Sequence, residues 1–274
     1  MWKTPASAGA MMDRHSKIAW AEEKPVSLRE LELSGKVAVV TGAGRGIGRA
    51  IALAYAHAGA MVSCAARTQA EIDDTVREIE SSGGEGIAVR TDVTQLASVQ
   101  SLYRATTQRF GGIDLLVVNA GASYDRRTIE ESDPEKWKAT MEVNLMGAYY
   151  CAREVIPYLK QRGEGKIIAI GSGLGHRGIP ERSAYASSKA GLWMLTRVLA
   201  QELWPYHIAV NELIPGPVQT SIDGKLPNDK NAVAQIASEW NKTPGDVVPM
   251  AMFLATQPMM GPTGQSFSLM RRDL

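Results

Sequence analysis

The chain has 274 residues, 45% of them hydrophobic, and its 30 Lys and Arg residues nearly balance its 29 Asp and Glu residues. A net charge of +1 provides no long-range field to hold a nucleic acid or an anionic membrane surface. No apolar run approaches the roughly 20 residues of a membrane-spanning helix, and residues 1–30 lack the apolar segment of a secretory signal. Cys64 and Cys151 are far apart, without His or Cys neighbours at metal-ligand spacing. This pattern indicates a reducing compartment and neither a disulfide scaffold nor a metal site, so we expect a cytoplasmic protein.

Residues 1–34 show weak periodicity and are predicted to form an N-terminal extension. Two interpretations stay open: a flexible arm, or an arm whose Trp2 or Trp20 packs on a neighbouring subunit. The composition does not change abruptly after residue 35, and no internal repeat is present. Residues 35–274 are therefore predicted to form one domain.

From residue 36 onward, short apolar runs alternate with helical patterns. Strands are predicted at residues 36–40, 61–65, 86–90, 113–118, 166–170, 207–213 and 266–269. Helices are predicted at residues 47–58, 71–79, 94–110, 134–162 and 185–203, with Thr94 as the N-cap of the third. Alternation of this kind is typical of βαβ units, and strands that are apolar on both faces need helices on both sides. The prediction is an α/β fold with a doubly wound, seven-stranded parallel sheet.

A glycine-rich turn, TGAGRGIG at residues 41–48, separates the first strand from the first helix. Backbone N–H groups can approach a pyrophosphate closely only where no Cβ intervenes, and the helix N-terminus adds partial positive charge. The spacing is T-G-x-x-x-G-x-G, carried by Gly42, Gly46 and Gly48, because Ile47 occupies the third glycine's place in the usual G-x-G-x-x-G pattern. A turn of this kind between strand and helix predicts dinucleotide binding.

The end of the second strand indicates which dinucleotide binds. An NAD site requires an acidic side chain there to accept a hydrogen bond from the ribose 2′-hydroxyl, but residues 64–68 read CAART. The guanidinium of Arg67 suits a 2′-phosphate, and Arg45 in the glycine turn could approach the same group. The alternative for Arg67 is a solvated residue at a helix start. The pattern favours NADP(H).

A second motif, YASSK at residues 185–189, opens the helix after the fifth strand, and Ser172 precedes it by thirteen residues. Residues four apart share a helix face, so Tyr185 and Lys189 are expected to point into one cleft. We expect the ammonium to favour the phenolate of Tyr185, a phenol that otherwise has a pKa of about 10. Tyr185 would exchange a proton with a carbonyl or alcohol oxygen that the Ser172 hydroxyl also holds.

These motifs, in this order, resemble the short-chain dehydrogenase/reductase family from about residue 34 to the C-terminus. The resemblance is also carried by Asp92 after the third strand, NAG at residues 119–121, Asn144 in the long helix, and PGPVQT at residues 215–220. It is greatest to reductases of the 3-oxoacyl-(acyl carrier protein) type. The C-terminus departs from the family pattern, since residues 268–274 replace the usual glycine-rich end.

The resemblance implies a Rossmann fold, a homo-oligomer (a dimer or tetramer, a homotetramer being expected) and a role for each motif. Asn144 joins Ser172, Tyr185 and Lys189 in the catalytic set, where it holds a water in a proton relay. A substrate lid is implied at about residues 218–243. The residues assigned to the cofactor are Gly42, Gly44, Arg45, Gly46, Ile47, Gly48, Arg67, Asp92, Val93, Asn119, Ala120, Gly121, Tyr185, Lys189, Pro215, Gly216, Val218 and Thr220.

His176, four residues after Ser172, could be mistaken for a catalytic base. Because Tyr185 already has that role, we expect His176 to be a substrate-loop or solvent-facing residue.

The predicted function is hydride transfer between NADP(H) and a small-molecule carbonyl or secondary alcohol, with a ketone or 3-oxoacyl compound as substrate. One alternative is an NAD-dependent dehydrogenase of a secondary alcohol, sugar or polyol. Another is a nucleotide-binding sensor without catalysis, against which the complete catalytic set argues. Neither a nucleic acid nor a membrane is expected as a partner.

Overall fold

The computed structural model describes residues 33–220, 222 and 241–270. Residues 1–32 of the predicted extension and most of the predicted lid lie outside these residues. Leu33, which the prediction assigned to the extension, already belongs to the fold. Its side chain is 2% exposed, and its amide donates to the Ala58 carbonyl at 2.7 Å.

The described residues form one seven-stranded sheet in the order β3-β2-β1-β4-β5-β6-β7, with every pair parallel. The strands are β1 Val37–Thr41, β2 Met61–Ala66, β3 Glu85–Arg90, β4 Leu115–Val118, β5 Gly165–Ile170, β6 Ile208–Ile214 and β7 Ser266–Ser268. The strand order reverses between β1 and β4, where doubly wound sheets bind their ligands. The predicted fold class is confirmed.

The helices are α1 Gly46–His57, α2 Gln69–Ser81, α3 Leu96–Phe110, α4 Pro134–Met141, α5 Gly147–Arg162, α6 Ser183–Leu203 and α7 Val248–Thr256. Most bounds agree with the prediction within about two residues. The predicted N-cap of α3 is wrong, because Gln95 holds that position. The Thr94 hydroxyl donates instead to Asp92 Oδ1 at 2.8 Å.

Two apolar cores cover the two faces of the sheet. Alternate residues of a strand point to opposite faces, so Ala38 and Val40 join one core with Ile51 of α1. Val39, between them, joins the other core with Leu102 of α3. Both faces of the sheet are therefore covered by helices, and its carboxyl edge is left to form a site.

A π-helical turn, Glu142–Met146, joins α4 to α5, where the sequence predicted one regular helix over residues 134–162. Turns of this kind are rare overall and are frequent at functional sites. This one contains Asn144, whose side chain is 1% exposed.

Candidate active site

The turn between β1 and α1 has glycine where a side chain has no room. Gly42 and Gly46 have φ angles of +67° and +57°, which favour glycine. A Cβ on Gly48 would lie 2.3 Å from the Gly42 carbonyl oxygen. The first turn of α1 contains no acidic residue, so its partial positive charge is available to an anion. These residues fit a dinucleotide pyrophosphate.

Asn119, after β4, braces this turn. Its Nδ2 donates to the carbonyls of Thr41 and Gly42 at 2.8 and 3.2 Å. The Thr41 hydroxyl in turn accepts from the amides of Asn119 and Ala120 at 2.9 and 3.1 Å. The glycine turn is thus tied to the neighbouring strand at the point where the strand order reverses.

Asp92, after β3, also lines the cleft beside the glycine turn. Its Oδ1 accepts from the Thr94 amide and hydroxyl at 3.0 and 2.8 Å. Arg67 is exposed at the end of β2. Arg45 Nη1 lies 3.6 Å from Glu71 Oε1 on α2. Arg45 and Arg67, both predicted to bind the cofactor, therefore border the cleft, together with the carboxylate of Glu71, which was not predicted.

Twelve of the predicted cofactor residues line this cleft: Gly42, Gly44, Arg45, Gly46, Ile47, Arg67, Asp92, Val93, Asn119, Ala120, Gly121 and Thr220. The cleft lining does not include the predicted residues Gly48, Tyr185, Lys189, Pro215, Gly216 and Val218. Seven lining residues were not predicted: Ala65, Ala66, Thr68, Glu71, Thr91, Val143 and Ile222. The run of small residues at the end of β2 could have indicated that Ala65 and Ala66 line the cleft. No sequence pattern indicates Glu71, because its place in the cleft depends on how α2 packs against Gly44.

The three predicted catalytic side chains meet at the carboxyl end of β5. Ser172 follows β5, and its hydroxyl lies near that of Tyr185 on α6, where it acts to lower the pKa of the phenol. Lys189, one turn further along α6, is 4% exposed and its Nζ donates to the Ile170 carbonyl at 2.7 Å. Nζ lies 5.8 Å from the centre of the Tyr185 ring.

The predicted shift of Tyr185 toward phenolate is not found. Burial raises the pKa of the phenol, and the Ser172 hydrogen bond and the charge of Arg182 oppose this rise without overcoming it. Burial also lowers the pKa of Lys189 to about 8, against the attraction of Glu212. The Lys189 ammonium is bonded to a backbone carbonyl rather than to the phenol. Tyr185 is therefore neutral near pH 7, which is the protonation state of a proton donor.

Asn144 connects the catalytic helix to the loop after β4. Its Nδ2 donates to the Ala122 carbonyl and to Ser188 Oγ, both at 2.9 Å, and its Oδ1 accepts from the Ala122 amide at 2.8 Å. The π turn brings this side chain to Ser188, which lies directly before Lys189. The observed contacts are those of a brace, and the water relay implied by the resemblance stays a prediction.

The PGPVQT segment leaves β6 through Gly216, which has a φ of +70°. Val218 pairs with Lys242 in a parallel bridge, and the Gln219 amide donates to the Lys242 carbonyl at 2.8 Å. The two described ends of the predicted lid are thus joined through their backbones, and Thr220 is held at the cleft.

His176 does not face solvent. Its side chain is 12% exposed, its Nε2 lies 3.0 Å from Glu212 Oε2, and its ring centre is 4.9 Å from that of Trp193. The solvent-facing interpretation is wrong. The available signal was Glu212 itself, an acidic residue within the otherwise apolar end of β6.

Within the described ranges, no group of three or more His, Cys, Asp or Glu side chains could hold a metal ion. In the same part of the chain, every helix is too short or too polar to span a bilayer.

Comparison with known proteins agrees with this geometry. The short chain dehydrogenase family model matches residues 36–231. The chain is 33% identical over 237 residues to the 3-oxoacyl-[acyl-carrier-protein] reductase FabG of Thermotoga maritima, an alignment that covers 86% of this chain and 96% of the relative. It is 36% identical over 239 residues to the 3-oxoacyl-[acyl-carrier-protein] reductase of Synechocystis sp., again covering 86% and 96%.

Among solved structures, a dehydrogenase/reductase from Sinorhizobium meliloti matches with a TM-score of 0.80 at 33% identity, covering 87% of this chain and 95% of the other. The glycine turn, the Ser172, Tyr185 and Lys189 cluster and these matches agree with one another. The chain belongs to the short-chain dehydrogenase/reductase family and is an oxidoreductase that acts on CH–OH groups.

Proposed function

We propose that this enzyme transfers hydride between NADP(H) and a carbonyl or secondary alcohol, and that it serves as a reductase of ketones of the 3-oxoacyl type. The observation that carries the proposal is the grouping of Tyr185 and Lys189 on α6 beside Ser172 at the end of β5, and burial keeps the Tyr185 phenol neutral, as the proton donor of a reduction requires. A general acid must hold its proton at the working pH. Tyr185 meets this condition without a further change.

Each catalytic side chain has a distinct task. A nicotinamide cofactor held in the cleft by the glycine turn would supply hydride to the carbonyl carbon. Tyr185 donates its proton to the carbonyl oxygen, which Ser172 Oγ holds by a hydrogen bond, and an alcohol results. Lys189 provides positive charge as the phenol loses its proton. Asn144 keeps Ser188, and with it this turn of α6, in register with the loop after β4.

The preference for NADP(H) rests on Arg67 and Arg45 at the ribose end of the cleft. A guanidinium can form two parallel hydrogen bonds to a phosphate. Glu71 favours the alternative, an NAD-dependent dehydrogenase, because its carboxylate lies in the same cleft and pairs with Arg45. Values of kcat/KM with NADPH and NADH decide between them, and a strong preference for NADH would reject the role of Arg67.

The substrate class rests on the relatives of 33% and 36% identity, which are named as 3-oxoacyl-[acyl-carrier-protein] reductases. Acetoacetyl and longer 3-oxoacyl thioesters, simple ketones and polyols, each assayed with both cofactors, form the test panel. We expect the highest kcat/KM for a 3-oxoacyl thioester with NADPH. A higher value for a polyol with NAD would replace this proposal with the dehydrogenase alternative.

The catalytic role of Tyr185 is tested by Tyr185→Phe. We expect kcat to fall by about 100- to 10,000-fold, the usual contribution of acid–base catalysis, while the Kd for NADPH stays within about twofold because the glycine turn is untouched. Tyr206→Phe, at an exposed position on the surface, is the matched control and should retain full activity. Wild-type turnover in Tyr185→Phe would refute the assignment, and a wild-type protein that binds NADPH without reducing any substrate would indicate a sensor.

We also infer a homo-oligomer, a dimer or homotetramer, in a cytoplasmic location. Large apolar side chains are exposed on the π turn and on helices α5 and α6, namely Met146, Tyr149, Met194 and Val198. An oligomer would cover them, and light scattering of the purified protein measures the subunit number directly.

A further inference from the structure

A hydrogen-bonded pair, His176 and Glu212, lies close to the catalytic side chains. Glu212 on β6 is 0% exposed, and its Oε2 lies 3.0 Å from His176 Nε2 and 2.6 Å from the Ser266 hydroxyl. Its Oε1 is also buried and has no hydrogen-bond donor among the described residues. Because a buried carboxylate is unfavourable unless it is paired, His176 and Ser266 are the groups that make Glu212 tolerable there.

The Glu212 carboxylate lies directly against the strand end that carries the catalytic serine. A Cβ on Gly171 would come within 1.9 Å of Glu212 Oε1, so the residue before Ser172 must be glycine. Lys189 is bonded to the Ile170 carbonyl on the same strand, and the charge of Glu212 acts on it to raise its pKa. Glu212 thus lies against the residue that precedes Ser172, and its charge acts on Lys189.

His176 belongs to the turn that Ser172 begins. The Gly175 amide donates to the Ser172 carbonyl at 2.9 Å, and the His176 amide donates to the Gly173 carbonyl at 3.2 Å. The imidazole then reaches away from this turn to Glu212 on β6 and to Trp193 on α6. One side chain therefore attaches the Ser172 turn both to the sheet and to the helix that carries Tyr185 and Lys189.

We propose that His176 and Glu212 form a positioning pair, in which His176 holds the Ser172 turn in place and Glu212 places a buried carboxylate against Gly171, beside the strand end to which Lys189 is bonded. This inference rests on the proposed reductase function. A carboxylate only accepts hydrogen bonds, so Nε2 of His176 carries a proton. The charged groups near the pair are Lys189 on α6, on which Glu212 acts, and Arg197 on α6, whose guanidinium lies against the Trp193 ring that also contacts His176.

The first test compares His176→Leu with His176→Gln, whose amide can still donate to Glu212. We expect His176→Leu to lower kcat at least 10-fold with the Kd for NADPH unchanged, and His176→Gln to recover most of kcat. Arg177→Ala, an exposed neighbour in the same turn, is the control and should keep kcat within about twofold, as surface substitutions usually do. Wild-type kcat in His176→Leu would overturn the positioning role.

The second test is the pH profile of Glu212→Gln, which keeps the shape of the side chain and removes its charge. Loss of a negative charge lowers the pKa of Lys189 further, so the alkaline limb of kcat should move to lower pH by about one unit. A role confined to packing would lower thermal stability and leave this limb where it is in the wild type. An unshifted limb in a folded variant would therefore overturn the electrostatic role of Glu212.

A third measurement does not require activity and keeps this inference separate from the proposed function. Long-range ¹H–¹⁵N NMR of the histidine side chains, of which the chain has four, reports which ring nitrogens carry protons. We expect one histidine to keep a proton on Nε2 across the neutral range and to lose this behaviour in Glu212→Gln. If no histidine of the wild type keeps a proton on Nε2, the pair does not exist. If the wild-type protein has the paired signal but reduces no substrate, only the proposed function fails.

Discussion

Lys189 is a buried ammonium whose charge depends on opposing effects. Removal from water lowers its pKa to about 8, and the Glu212 carboxylate opposes this. The side chain has a hydrogen-bond acceptor of its own in the Ile170 carbonyl. At the scale of single residues, the site contains a neutral phenol, that of Tyr185, and an ammonium, that of Lys189, which loses its charge at mildly alkaline pH.

The pH dependence of the reaction follows from the lowered pKa of Lys189. Below pH 8 the ammonium is present and Tyr185 is protonated, so reduction should be fastest there. Above pH 8 Lys189 loses its charge, and kcat should fall about tenfold per pH unit, as expected for one ionisation. Rates at saturating substrate from pH 6 to 10 measure this limb, and a constant kcat up to pH 10 would contradict it.

Glu71 provides a second prediction at this scale. Its carboxylate pairs with Arg45 and competes with a cofactor phosphate for the same guanidinium. Glu71→Gln should therefore raise the ratio of kcat/KM for NADPH over NADH several-fold, since a charge-assisted bond to Arg45 becomes available. Gln69→Glu, a charge change of opposite sign at an exposed position of the same helix, is the comparison. If the ratio of kcat/KM for NADPH over NADH falls in Glu71→Gln, Arg45 does not bind the 2′-phosphate of the cofactor.

At the scale of elements, close packing around Gly48 fixes the turn from β1 to α1 as much as hydrogen bonds do. Gly48 packs against the Gly42 carbonyl and Asn119 Nδ2, and neither can move without breaking the brace to β4. The conformation of the glycine turn thus depends on a neighbouring strand.

Gly48→Ala tests this dependence. The added methyl would lie 2.3 Å from a backbone oxygen, and such overpacking costs about 1–3 kcal/mol. We expect a lower Tm and a loss of NADPH affinity of at least tenfold, measured by calorimetry. In the control Gly245→Ala, the nearest atom to the new Cβ is 3.7 Å away, and both properties should be unchanged. Equal affinities for the two variants would refute the steric argument.

At the scale of the whole molecule, several ionisable groups are buried in the two cores. Burial raises the pKa of Cys64 and of Cys151 from 9.0 to about 12, and it also raises the pKa of Tyr55 and Tyr103. Lys189 behaves oppositely, since its pKa falls from 10.5 to about 8. The balance of these shifts determines how stability varies in alkali.

The free energy of unfolding should fall as the pH rises from about 9 toward 12. In this window the unfolded thiols and phenols lose protons that the folded state retains, so their contribution is present below pH 9 and lost above it. Between pH 8 and 10.5, Lys189 has the opposite effect and raises the free energy of unfolding as the pH rises. It is a single group, whereas two thiols and two phenols lower the free energy of unfolding, and each group contributes about 1.4 kcal/mol per unit of pKa shift. Urea titrations at pH 8, 9.5 and 11 measure the slope. Replacing both cysteines with alanine should flatten it, and an unchanged slope would contradict this account.

The sequence alone was sufficient to predict the sheet and to single out the candidate site residues that local patterns mark. The α/β alternation, the glycine turn and the Tyr185–Lys189 spacing depend on periodicities of two and 3.6 residues, which can be read from adjacent positions. Ser172 was predicted from its position thirteen residues before Tyr185. These predictions needed no knowledge of which distant segments touch.

Only the tertiary structure decided the features that depend on distant contacts. The π turn at Asn144, the entry of Glu71 into the cleft and the pairing of His176 with Glu212 join residues from separate elements, and no local pattern specifies them. The protonation of Tyr185 also depended on the fold, because desolvation is set by everything packed around the phenol, whereas the sequence showed only the nearby lysine. Chemical types and their order along the chain are local properties, but burial and long-range pairing arise only when the chain is folded.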